Sequence, residues 1–135
     1  MSWDVLLLHL PDDVASVQDI PDGFSPHPLG SQRDVLAAVA RAAPEADLSD
    51  PAWGELCGAT WSIELNIGAD SPVDTVMLHI RGSGDDVLTS VTRLGRALGC
   101  KALDCSTGKV LADQEPTGWH AFQNYRDRVT GVLPD

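Results

Sequence analysis

The chain has 135 residues, a net charge of −11 and an apolar share of 43%. That length suits one α+β domain over residues 1–135 with a core of its own, and the composition is that of a folded chain rather than a disordered one. The charge argues against nucleic acid as a partner, since phosphate binding needs a basic stripe. The most apolar run, Val5 to Leu10, is too short to cross a bilayer.

Residues 3–10 form an apolar run closed by Pro11 and read as a strand; both parities are mostly apolar, so both of its faces should be covered. Residues 11–30 hold four prolines and no period, which makes a long loop that is either functional or hides a short element. Ser31 is a helix N-cap, and Val35, Leu36, Val39, Ala42 and Ala43 share one helical face until Pro44 ends it. Residues 44–58 read as a second irregular stretch with an Asp50-Pro51 turn.

Residues 60–67 alternate, with Trp61, Ile63, Leu65 and Ile67 on one face and Thr60, Ser62, Glu64 and Asn66 on the other. A turn at Gly68–Pro72 and a return strand over 73–81 complete a hairpin. If 67 faces 74, then 65 meets 76 and 63 meets 78, which puts all apolar residues on one side. Gly82-Ser83-Gly84 leads into a second helix with Asp85 and Asp86 in its first turn and Gly99 as its stop. Residues 101–105 read as a strand with a partner at 109–111, and Trp119, Phe122, Tyr125 and Val129 mark one face of a last helix.

This order predicts an α+β, ferredoxin-like split βαβ (βαββαβ) antiparallel sheet, with two helices on one face and an added C-terminal helix. The first helix-free face should be wet, paired with another subunit or covered by the C-terminal segment.

Few residues carry chemical signals. His79 should sit opposite Ser62 and diagonal to Glu64, so Ser62, Glu64 and His79 form a candidate polar-face binding cluster; a hydrogen-bonded sheet cluster is the plainer reading. His9 and His79 end strands at opposite ends of the sheet, and no His or Cys spacing suits a metal, so neither a metal nor another cofactor is expected. Arg81-Gly82-Ser83-Gly84-Asp85-Asp86 looks like an anion loop, but its two carboxylates and missing Lys make it a turn with a cap. Leu103-Asp104-Cys105-Ser106-Thr107-Gly108 fits neither an aspartic-protease string nor a DxDxT phosphatase string, and no base can be assigned to Cys105. No catalytic residue is therefore assigned.

Three cysteines without ligand or disulfide spacing, and an acidic start at Asp4 in place of a basic signal region, suit a cytoplasmic protein. Twelve acids between Asp12 and Asp74 stand against Arg33 and Arg41, a net −10, whereas residues 75–135 are neutral. Such a half is either a solubility device or a face for a basic protein partner. Asp12, Asp13, Asp47 and Asp50 read as loop acids there.

The segments Met1-Ser2-Trp3-Asp4-Val5, Ser49-Asp50-Pro51-Ala52-Trp53-Gly54, Trp61-Ser62-Ile63-Glu64-Leu65-Asn66 and Tyr125-Arg126-Asp127-Arg128-Val129 resemble those of a family of small, uncharacterised bacterial proteins. With His79-Ile80-Arg81-Gly82 and Ala102-Leu103-Asp104, the likeness covers nearly the whole chain. It implies a stand-alone bacterial cytosolic protein and carries over no site residue. The expectation is a non-catalytic, protein-binding domain of immunity or antitoxin-like kind that uses its acidic N-terminal half. A small enzyme or ligand binder using the polar sheet face, or a homodimer pairing through that face, are the alternatives.

Overall fold

The computed structural model describes residues 1–130. Among them one antiparallel sheet holds six strands: β1 (Trp3–Leu8), β2 (Trp53–Cys57), β3 (Trp61–Asn66), β4 (Val76–Gly82), β5 (Lys101–Asp104) and β6 (Lys109–Val110). The helices are α1 (Gln32–Ala42), α2 (Val87–Leu98) and α3 (Thr117–Thr130), with a short 3-10 turn at Val17–Asp19. The chain is thus of the α+β class. The strand order β2-β3-β4-β1-β5-β6 differs from the expected βαββαβ sheet: β2 adds an unforeseen strand at one edge, and β6, near the partner expected at 109–111, lies at the other. None of the described helices is long and apolar enough to cross a membrane.

Local signals place α1 and α2. Ser31 Oγ accepts the Asp34 N–H at 3.1 Å, and Ala43 ends α1 one residue before Pro44. Gly99, with φ of 63°, closes α2 in the left-handed region that other residues avoid. Asp85 and Asp86 precede α2 rather than lying in its first turn. Asp86 serves instead as an acceptor for the Trp61 indole N–H, at 2.9 Å.

The core lies between the helices and one sheet face, where Val5, Leu7, Ile63, Leu65, Val76, Leu78 and Ile80 are buried with Val35, Val39, Val91 and Leu94. The register of the β3–β4 hairpin is offset by two residues from the one expected: Leu65 meets Leu78 and Ile63 meets Ile80. A two-residue offset preserves parity, so the same apolar residues still face inward. Val73, expected in the return strand, pairs outside the hairpin. Val73 bonds to Gly30 through its N–H at 2.7 Å and accepts the Leu29 N–H at 2.7 Å, which takes it out of β4.

The two irregular stretches have structural work. Residues 44–58 contain β2, whose Gly54 and Leu56 are buried while Trp53, Glu55 and Cys57 are exposed. Asp47 exchanges both backbone bonds with Glu55 and so occupies the outer edge of β2. At the other edge, Val17 N–H donates to Gly108 O at 2.7 Å and Val110 N–H to Ala15 O at 2.9 Å, covering β6. Blocked edges prevent strand-by-strand association.

The C-terminal helix buries side chains only in its first turns, although Arg126 further along donates to Gly82 O. Trp119 is buried and stacks on Trp3 with ring centroids 5.4 Å apart, and its indole N–H donates to Gly84 O at 3.1 Å. Tyr125 and Val129, expected on the buried face, are each 56% exposed. Since Trp3 shares the face of Val5 and Leu7, α3 lies on the helical side of the sheet; on the other face Leu8 and Leu103 are buried, as is Val14 of the 11–30 loop, while the outward side chains of β2, β3 and β4 stay exposed or half-buried.

Candidate functional site: the open sheet face

Alternation along the strands sends every second side chain to the face opposite the helices. From β3 these are Ser62, Glu64 and Asn66; from β4 Met77, His79 and Arg81; from β1 Asp4 and Leu6; from β2 Trp53, Glu55 and Cys57. All are exposed or half-buried.

The polar cluster expected from the sequence is on this face with altered pairing. His79 lies directly opposite Glu64, not Ser62, and Ser62 faces Arg81. On its other side His79 is opposite Asp4 of β1, and the carboxylate there wins it: Nδ1 donates to Asp4 Oδ1 at 2.9 Å. Ser2 Oγ donates to the same oxygen at 2.6 Å. Glu64 accepts instead from Arg81 Nη1 at 2.7 Å, the diagonal neighbour that a long guanidinium can reach. Ser62, Glu64 and His79 therefore share a surface but form no mutual hydrogen-bonded triad.

The proton on Nδ1 fixes the tautomer of neutral His79, leaving Nε2 as its acceptor. Against the ring lies the indole of Trp53, with centroids 6.0 Å apart and planes inclined by 24°. Trp53 is 45% exposed. Asp4, Glu55 and Glu64 set three carboxylates around this pair against the one guanidinium of Arg81. The sequence reading missed Trp53 and Asp4. Trp53-Gly54-Glu55-Leu56-Cys57 does alternate, and that five-residue pattern was the signal available for β2.

One end of this face is acidic. β1 ends beside the start of β4, β3 ends beside the start of β2, and β5 starts beside Leu8. The connections leaving the sheet there bring exposed Asp12, Asp13, Asp50, Asp70 and Asp74 to the end at which Trp53 stands. The loop acids are not equivalent. Asp50 accepts the Ala52 N–H, and Asp47 accepts both the N–H and the hydroxyl of Ser49, which holds its carboxyl below the usual range. Both are turn-forming residues. Asp12 and Asp13 make no such turn bond, Asp12 lying 3.8 Å from Lys101 Nζ.

The remaining sequence candidates are structural. Asp104 is buried and accepts the N–H and hydroxyl of Ser106, at 2.9 and 2.6 Å, closing the β5–β6 turn. The 81–86 loop is held by structural bonds: Gly84 O accepts from Trp119, Gly82 O from Arg126, Asp85 pairs with His120 at 2.7 Å, and Ser83 N–H donates to Thr60 O. All three thiols are pushed up. Cys57 is raised by loss of water and by Glu55, Cys105 by burial and then Asp4 and Asp104, and burial takes Cys100 to about 12. A nucleophilic cysteine needs the opposite shift. His9 follows the end of β1 whereas His79 faces its start, and among the described residues no three His, Cys, Asp or Glu side chains gather at ligand spacing.

Comparison with known protein families, curated proteins and solved structures finds no match.

Proposed function

We propose that the protein is a non-catalytic protein-binding domain that receives a basic partner on its open sheet face. The observation that carries this reading is Trp53, a large exposed aromatic on the open part of the sheet, standing at the end where five exposed carboxylates collect. Aromatic anchors with a charged rim are the usual anatomy of a protein contact: the ring supplies buried area and the rim steers encounter. The acidic N-terminal half enters through its position, since Asp12, Asp13, Asp70 and Asp74 lie in connections that leave the sheet at the same end as Trp53. On the resemblance of its segments we read the setting as the bacterial cytosol; the immunity or antitoxin-like role rests on the acidic N-terminal half. The run β1–α1–β3–β4–α2–β5 we read as a ferredoxin-like split βαβ frame with two added edge strands. The local order β3-β4-β1-β5 and the antiparallel pairing support that frame.

The test is a photo-crosslinking side chain at position 53, with a control at Val129, in cells that make the protein. The captured protein is then titrated against the chain at rising salt. Binding is expected to weaken as the Debye length falls from about 10 Å at 0.1 M to about 3 Å at 1 M. Reversing Asp12, Asp13, Asp70 and Asp74 to Lys should slow association. A contact insensitive to both changes overturns the reading. Capture of a second copy of the chain would instead establish self-pairing, which the blocked edges confine to the sheet face.

The second reading, a small enzyme or ligand binder on this face, draws on the His79–Asp4 bond, which leaves Nε2 an acceptor for a proton. A substrate-dependent reaction lost in His79→Gln and retained in Glu64→Gln would favour it.

A further inference from the structure

On the helical side, a cleft of about 240 Å³ opens between α2 and the chain segment 110–115. Its floor is apolar, formed by Leu88, Val91, Gly95, Ala102 and Leu111. Three features set it apart from an accidental gap.

Gly95 lies inside α2, where glycine is a poor helix former. A Cβ built there would meet only the Cys100 carbonyl oxygen, at an ordinary 3.5 Å. No neighbour in the protein demands the bare backbone, so what the glycine provides is room in the cleft. At the rim, Gln114 holds φ of 61°, the one non-glycine residue with positive φ among the described residues. It is pinned to α2 at both ends: its N–H donates to Thr92 Oγ1 at 3.4 Å, and its Oε1 accepts from Thr89 Oγ1 at 3.3 Å. Local strain of this kind gathers at ligand clamps. Third, Arg96 of α2 and Asp113 of the facing segment form an ion pair at the mouth, both largely exposed.

The rim sets the ligand chemistry. Glu115 is occupied by Thr117, whose N–H and hydroxyl both bond to it, and Lys101 reaches away to Asp12. Arg96 and Asp113, bonded to each other, are the adjacent opposite charges at this apolar cleft. A simple anion or cation would satisfy one and strand the other, whereas a zwitterion satisfies both. Arg41 and Arg93 lie in the α1–α2 groove on the far side of Arg96, so the carboxylate belongs at Arg96 and the ammonium at Asp113. The volume falls below the roughly 300 Å³ at which ordinary ligand pockets begin, which excludes nucleotides. We infer that this cleft binds a free aliphatic α-amino acid, side chain over Gly95 and charged end between Arg96 and Asp113. The half-buried Cys100 thiol in the wall, its ionisation pushed up by loss of water, makes it a site of binding, not of covalent chemistry.

Calorimetric titration of the full chain tests this with four probes: L-leucine, 4-methylpentanoate, 3-methylbutylamine and L-aspartate. Leucine should bind one to one. The analogues lacking the ammonium or the carboxylate should bind about tenfold or more weakly, each having lost a charged hydrogen bond. Gly95→Leu should abolish leucine binding while keeping or raising the melting temperature, and Arg96→Gln should weaken leucine more than 3-methylbutylamine. Leucine should shift amide resonances in the wild-type chain at residues 88–96 and 110–115, a readout that does not depend on any variant folding. No saturable leucine binding, equal binding of 4-methylpentanoate, or shifts centred elsewhere would each overturn the assignment.

Discussion

The indole of Trp53 on β2 stacks on the imidazole of His79 on β4 although β3 lies between the two strands, with ring centroids 6.0 Å apart. The ring thus lies across the sheet surface instead of standing off it. An exposed aromatic pair contributes about 0.5–1.5 kcal/mol beyond its burial. Trp53→Ala should therefore lower the melting temperature by only a few degrees, roughly what 1 kcal/mol does in a domain this size. Capture of a basic partner should fall far more. A loss above about 3 kcal/mol in urea unfolding would mark Trp53 as core rather than contact surface.

The last helix has its apolar anchor at one end, with Arg126 bonded to Gly82 O further along. Trp119 is buried against Trp3 and bonded to Gly84, whereas Tyr125 and Val129 stand in solvent. Trp119→Ala should cost about 3–5 kcal/mol, the usual loss for emptying an aromatic site. Tyr125→Ser should stay within about 0.5 kcal/mol. Urea denaturation of the two variants decides, and equal losses would mean that α3 packs along its whole length.

Edge protection rests on few bonds. Val17 is the first residue of its 3-10 turn, where proline's φ is tolerated, so Val17→Pro removes little besides the N–H that reaches Gly108 O. The bond is worth about 1 kcal/mol, more if Gly108 O stays dry. The variant should also associate with rising concentration through an opened β6 edge. Sedimentation that shows an unchanged monomer–oligomer balance would remove this role from residues 15–17.

The thiols predict an alkaline limit. Burial holds Cys100 protonated up to about 12, whereas an unfolded thiol ionises near 8.5. Between those values the unfolded chain binds fewer protons, so this contribution is complete below about pH 8.5 and is lost as pH rises toward about 12. The urea midpoint should drop in that window and drop less in Cys100→Ala. Iodoacetamide near neutral pH should label exposed Cys57 slowly and Cys100 only after unfolding. Rapid labelling of Cys100 in the folded chain would contradict this.

Much of the frame was legible because its signals are local. Ser31, Pro44 and Gly99 bound their helices through capping and steric effects that act within a turn. The alternation of Trp61 to Asn66 set which residues face the core. Strand β2 escaped because five residues behind an Asp-Pro turn give too short a pattern to separate from loop. The end of α3 misled because Trp119, Phe122, Tyr125 and Val129 have helical spacing whether or not a core lies beside them.

By itself the sequence determined the α+β class, the parity of β3 and β4, the extent of α1 and the end of α2, all consequences of periodicity and caps along a short stretch of chain. Only the tertiary structure decided the hairpin register, the partners of His79 and the open face. Registers two residues apart bury the same side chains, so hydrophobic pattern cannot separate them. Gly30 pairs with Val73, across more than forty residues of chain. In the register adopted, His79 faces Glu64 instead of Ser62. Its bond to Asp4, 75 residues away, and its stack on Trp53 exist only because the sheet order sets β1, β4 and β2 on one surface.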